Sequence, residues 1–343
     1  MDVTLLQTIW FVLWALLWAV YFVLDGFDLG MGTLLPFIAG NEYEKRVIYN
    51  AAGPFWDGNE VWLITAGGVT FAAFPKAYAV MFSALYAPLL ILLFALIFRA
   101  VSFEFRNKID SVRWRKCWDI CQFAGSFVPA LLLGVAFANL FMGIPIDGHG
   151  IYHGNILKLL SPYGLLGGIL FVLMFAYHGA LWLGIKSSGE LHEKASLWAG
   201  RLWMYLLIAA VLFLSGSAIF TDLYVNIAAH PALAVFPVLA VILLITSRVA
   251  GPGGIMAWLA SAGFIISATF FGVMGMFPNI IPSNLSPAWS LTAANSSSSE
   301  LTLTIMLVVA LCCVPVVIAY QVWVYVTFSH KLTKEELESE SAY

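Results

Sequence analysis

Two short stretches carry the residues best able to do chemistry. Trp56-Asp57-Gly58-Asn59-Glu60-Val61-Trp62 sets two carboxyl groups and an amide between indoles, at the mouth of an apolar run. Leu24-Asp25-Gly26-Phe27-Asp28-Leu29-Gly30 puts two more carboxyls inside the preceding apolar run. Carboxyl groups accept and release protons or hold cations, and an amide can bridge them by hydrogen bonds. An acid near mid-bilayer costs roughly 2.5–3.5 kcal/mol on the insertion scale, so intramembrane acids read as functional by default. Asp25 and Asp28 are three residues apart, as are Asp57 and Glu60, so each pair shares one helical face. The competing reading is that these acids cap helix starts or pair with Arg99 or Lys45.

The elements that position them are membrane helices. Of 343 residues, 62% are hydrophobic and 10% charged, with a mean hydropathy of +0.91. Soluble domains carry roughly 25% charged residues, so this composition specifies an all-α polytopic membrane protein. The net charge of -3 offers no basic face for nucleic acid. Apolar runs long enough to span fall at about 5–38, 55–74, 77–99, 118–142, 160–185, 197–220, 232–249, 254–278 and 301–328. They predict nine spans in a single integral membrane domain over 1–343, ending in a short charged tail, 331–343. Met1-Asp2-Val3-Thr4 lacks a positively charged leader region, so the first run reads as a retained span.

Basic residues set the orientation. With the N-terminus outside, every Lys and Arg except Lys76 and Lys158 falls in an inner segment, fourteen of the 16. That asymmetry supports nine spans with the C-terminus in the cytoplasm. All four acids then lie toward the cytoplasmic side, on adjacent helices. Arg99, Glu104 and Arg106 close the third run as charge-pair or interface candidates.

Other features are less specific. Gly26 and Gly30 have the spacing that lets helices approach closely. Pro129 predicts a kink in the fourth span. Cys117, Cys121 and Cys312-Cys313 match no metal or redox spacing and read as structural. Axial haem ligation needs His, Met or Cys facing into a bundle. Only His178 is clearly within the membrane, and Met174, one turn away on the same helix, cannot face it. His178 therefore reads as a hydrogen-bonded core residue, and metal binding by this chain is not expected. The stretch from Phe277-Pro278 to Ser296-Ser297-Ser298-Ser299 reads as an irregular cover over the outer helix ends.

Asp25-Gly26-Phe27-Asp28-Leu29-Gly30 and Trp56-Asp57-Gly58-Asn59-Glu60-Val61-Trp62-Leu63 resemble motifs of subunit II of cytochrome bd-type quinol oxidases. Phe103-Glu104-Phe105-Arg106, Gly125-Ser126-Phe127-Val128-Pro129 and the Phe277-Pro278 loop with Ser290-Leu291-Thr292 fit the same family, from about residue 7 to 330. The resemblance implies two four-helix bundles plus one peripheral helix, in a bacterial plasma membrane. It implies a heterodimer with subunit I, which carries haem b, haem d and the quinol site, and small accessory subunits in some members. The complex oxidises quinol and reduces dioxygen to water, taking its chemical protons from the inside without pumping. This chain would ligate no haem, and a bound quinone is a family possibility. Asp57, with Trp56 and Asn59 beside it, would line a cytoplasm-facing proton-uptake path together with Asp25, Asp28 and Glu60.

Two other classes compete. A secondary transporter would fit inner acids, yet no second copy of either acidic motif marks an internal repeat. A purely structural stabiliser of subunit I would use the same acids at the interface. A reduced-minus-oxidised spectrum of the chain, purified with and without its partner subunit, separates these classes. Haem bands are expected only in the co-purified sample; bands in the lone chain would overturn the ligand count.

Overall fold

The computed structural model describes residues 3–337. Met1, Asp2 and the last six residues of the charged tail lie outside the described residues, and with them part of the amino-terminal and tail readings. The chain is built from helices: α1 Leu5–Ile38, α2 Glu42–Ala52, α3 Trp56–Ala73, α4 Pro75–Ala84, α5 Tyr86–Phe105, α6 Val112–Met142, α7 Ile156–Leu159, α8 Pro162–Lys186 and α9 Gly189–Phe220. After these come α10 Leu223–Ala229, α11 Val235–Val249, α12 Ile255–Gly275, α13 Ala293–Ser296, α14 Glu300–Thr327 and α15 Lys334–Leu337. Polar caps set several starts. Thr4 and Gln7 form a reciprocal capping box on α1, and Asn41, Ser111, Ser161 and Ser299 cap α2, α6, α8 and α14.

Among the described residues, eight helices are long and apolar enough to cross a membrane, which makes this an integral membrane protein. They cover eight of the nine predicted runs. The remaining run, 55–74, forms α3. Its 18 residues reach about 27 Å, and Asp57, Asn59 and Glu60 make its first turns polar. The run at 77–99 divides at Leu85 into α4 and α5. Pro88 cannot donate to the carbonyl one turn back, and it disfavours helix at the residue before it. α6 and α9 begin earlier than their apolar runs because polar first turns extend them beyond the hydrophobic stretch. α6 continues as helix through Pro129.

α1 is the hub. It packs against α3, α6, α8 and α12, while α5 lies on α6, α9 on α8 and α11 on α12. The contact with α8 is backbone on backbone. A Cβ added to Gly30 would meet the Phe175 carbonyl oxygen at 1.8 Å, and one on Gly179 would meet the Met31 nitrogen at 2.6 Å. The glycine spacing read from sequence is therefore a close helix crossing. α14 is peripheral, with only Leu303 buried along its length.

At one end of the helices, Asn279–Ile281 (β1) pairs antiparallel with Leu291–Thr292 (β2), so the predicted irregular cover contains a small two-stranded sheet. Ser298 Oγ donates to the Ala72 carbonyl at 2.6 Å and ties this cover to α3. In the neighbouring loop His153 and the backbone N–H groups of Ile151 and His149 hold the Asp147 carboxyl down at about 2. At the opposite, basic end, the tail is docked. The Lys186 ammonium donates to the carbonyls of Phe328 and His330, and Arg46 donates to that of Leu337.

Gly30→Val should break the α1–α8 contact. Forcing a branched side chain against a backbone carbonyl costs at least ~1–3 kcal/mol of overpacking. A lower melting temperature, or loss of the monodisperse peak in size-exclusion chromatography, is the expected outcome.

Candidate functional site: three carboxyl groups around Arg99

Arg99 sits on the buried face of α5, in register with Leu92, Leu96, Ser102 and Phe103. Gly125 of α6 lets that face come close, since a Cβ there would meet the Arg99 Cβ at 2.7 Å. The guanidinium is fully buried. Its Nη2 is 2.8 Å from Asp25 Oδ1 and 3.8 Å from Asp28 Oδ2, and its Nη1 is 3.7 Å from Glu60 Oε2. The side chains of Asp25 and Asp28 are 0% exposed and that of Glu60 is 21% exposed. One cation thus faces three carboxyl groups drawn from two helices, in a region where unpaired charge is costly. Asp25 Oδ2, Asp28 Oδ1 and Glu60 Oε2 are buried oxygens with no hydrogen-bond partner among the described residues.

Asn59 joins this cluster to α14. Its Nδ2 donates to Asp28 Oδ2 at 2.8 Å. Its Oδ1 accepts from Gln321 Nε2 at 3.2 Å and from Tyr325 Oη at 3.0 Å, both on α14. Trp62 Nε1 donates in turn to Gln321 Oε1 at 2.9 Å. α14 is therefore held at the site by side-chain hydrogen bonds rather than by a buried apolar face.

Of the residues singled out from sequence, Asp25, Asp28, Asn59, Glu60 and Arg99 come together. Asp57 does not. It lies one turn before Glu60 on an exposed part of α3. Trp56 does not frame it either, because its ring stacks on Phe103 at 5.2 Å with a 4° interplanar angle. Glu104 is exposed. Arg106 belongs to a separate network at the basic end: Nη1 to Glu42 Oε1 at 2.7 Å, Nε to Asp119 Oδ1 at 2.7 Å, and Asp119 on to Lys45 at 2.8 Å. That network ties α2, α5 and α6 together.

Gln321 and Tyr325 were not among the sequence candidates, and Trp62 was noted only as an indole flanking the acidic motif. A signal was present, because Gln321 and Tyr325 are polar groups one turn apart in an otherwise apolar run. His178 is buried, bonded through Nδ1 to Ser261 Oγ at 3.0 Å, and stacked on Trp258 at 4.9 Å. These surroundings are those of a packed core residue, and its Nε2 has no hydrogen-bond partner among the described residues. Among the described residues no group of three or more His, Cys, Asp or Glu is placed to hold a metal ion.

Comparison with known proteins gives one consistent answer. The Bacillus subtilis cytochrome bd ubiquinol oxidase subunit 2 is 37% identical over 332 residues, covering 96% of this chain and 98% of that protein. The Escherichia coli K12 cytochrome bd-I ubiquinol oxidase subunit 2 is 36% identical over 375 residues, covering 98% of each. The solved bd oxidase from Geobacillus thermodenitrificans contains a chain with the same fold, at TM-score 0.78 and 16% identity, over 95% of this chain and 99% of that one. Residues 6–328 match the family described as cytochrome bd terminal oxidase subunit II, and the chain belongs to that family.

Proposed function

We infer that this chain is a non-haem-ligating subunit of a membrane quinol:dioxygen oxidoreductase, and that it lines a proton-uptake path from the cytoplasmic side toward a haem-bearing subunit I. The reading keeps nine spans with the N-terminus outside, α3 being one of them, in two four-helix bundles with α14 peripheral. The single observation that carries it is the graded exposure of the acids. Asp57 is exposed, Glu60 is partly exposed, and Asp25 and Asp28 are fully buried around Arg99. A site with three carboxyls and one fixed cation can gain or lose a proton without losing its organising charge. Exchangeable groups this close pass protons directly or through one water. In the complex the haems supply electron transfer and oxygen binding, whereas this chain's groups accept, hold and release protons.

α3 also supports docking to a subunit. Asp57, Val61, Ile64, Gly68 and Phe71 are exposed at helical spacing, and nothing lies within 4 Å of a Cβ built on Gly58, Gly67 or Gly68. Small residues on an apolar face admit a second backbone. A bound quinone or lipid finds room elsewhere. A cavity of about 250 Å³ between α1, α6, α8, α9, α11 and α12 is lined by apolar side chains including Phe22, Phe171, Trp203 and Phe264. Its Thr269 hydroxyl already donates to the Ile265 carbonyl, so the cavity suits an isoprenoid or acyl chain rather than a polar ring. Family membership leaves the transporter reading without support.

A structural role is favoured for one pair. Asp25 and Arg99 meet at 2.8 Å with both side chains fully buried, and breaking such a pair costs about 3–5 kcal/mol. Asp25→Asn is expected to lower the yield of assembled two-subunit complex. Glu60→Gln and Asp57→Asn are expected to assemble with an unchanged haem spectrum and to slow quinol-driven oxygen consumption, Glu60→Gln by roughly tenfold or more. Normal turnover in both would remove the proton-path reading and leave only the structural one.

A further inference from the structure

Side-chain amides are directional, and one residue near the cluster has no choice of direction. The Trp62 indole is a donor only. Gln321 must therefore turn its Oε1 toward Trp62, which it meets at 2.9 Å. Its Nε2 then faces Asn59, whose Oδ1 must accept, at 3.2 Å. The Tyr325 hydroxyl donates to the same oxygen at 3.0 Å. The Asn59 Nδ2 group is left to donate to Asp28 Oδ2 at 2.8 Å. Reversing any link would set N–H against N–H along the chain, ending at the indole.

We propose that Trp62 and Gln321 are positioning residues that fix the polarity of this hydrogen-bond chain, so that Asp28 Oδ2 is always an acceptor and a proton exchanges only at Asp28 Oδ1. The proposal rests on the proton-path reading above. Asp28 Oδ1 is buried and has no partner among the described residues, which leaves it open for the exchange. The chain crosses from α3 to α14, back to α3 and on to α1, so α14 acts on the acid cluster through Asn59. The charged and titratable groups around Asp28 are Asp25 on its own helix, Glu60 from α3 and Arg99 from α5, with Tyr325 of α14 reaching it through Asn59. Trp62 hydrogen-bonds to none of these groups among the described residues, and its bonded route to Asp28 runs through the two amides.

The test uses the purified two-subunit oxidase and follows quinol-driven oxygen consumption against pH, with haem content measured on the same samples. Trp62→Phe keeps an aromatic ring and removes the donor; Gln321→Leu removes the relay. Each is expected to lower turnover about three- to tenfold, the size of one lost or misdirected hydrogen bond, and to displace the pH profile at unchanged haem content. The double variant is expected to be no worse than either single one, because both cut the same chain. Gln321→Glu, of nearly the same size, is the second probe. Ionised, it accepts from both neighbours and turns the Asn59 carbonyl toward Asp28, so an assembled Gln321→Glu complex should also show a displaced profile. A wild-type pH profile in assembled Trp62→Phe, Gln321→Leu and Gln321→Glu complexes, with Asp28→Asn slow, overturns the proposal and spares the proton-path reading. Wild-type turnover in an assembled Asp28→Asn complex overturns both.

Discussion

A buried guanidinium is the constraint from which the rest of the arrangement follows. Arg99 cannot shed its charge inside a protein, and its side chain is fully covered by helices. Carboxylates must therefore surround it, and they must come from other helices, because its own helix offers none at that depth. Asp25 and Asp28 on α1 and Glu60 on α3 supply them. That requirement brings α1, α3 and α5 together at one level. The glycines at 30, 125 and 179 then let α1, α5, α6 and α8 close around the same point. Small residues where backbones meet and ionic groups where they would otherwise part are the two devices a membrane protein has in place of a hydrophobic drive between helices.

Much of this was legible from residue order. The apolar runs marked where helices would be, since a span needs a fixed length of apolar chain and little else does. Asp25, Asp28, Asn59, Glu60 and Arg99 were selected because polar groups are costly in lipid, and that cost holds whatever the neighbours are. The break at Leu85 and the early starts of α6 and α9 were less visible. They depend on how proline and polar first turns are accommodated, and hydropathy averages over both. The placement of Asp57 was not legible at all. Three residues from Glu60 it shares a helical stripe, yet a stripe is wide enough for one edge to be covered and the other open. Gln321 and Tyr325 were overlooked because their partners lie more than 250 positions away in the chain, and local pattern carries no information about such a pairing.

The division of labour between ionic groups is also physical. Arg106, Glu42, Asp119 and Lys45 form an alternating network at the basic end, partly open to solvent. There each charge has a counter-charge and pairs contribute modestly. Around Arg99 the balance is uneven and only Glu60 is partly exposed, so the same residue types act under different rules. A network with matched charges fixes helix ends. A cluster with surplus carboxyls leaves a degree of freedom that a matched one lacks.

The attachment of α14 bears on how the chain is made. Its hold on the body runs through Trp10 to the Leu303 carbonyl, Gln321 and Tyr325 to Asn59, and the Lys186 ammonium to the carbonyls of Phe328 and His330. In synthesis from the N-terminus, α1 and α3 are translated before Arg99, and Asn59 waits for its acceptor-side partners until α14 has been made. The acids are thus neutralised and oriented at two separate moments of biogenesis.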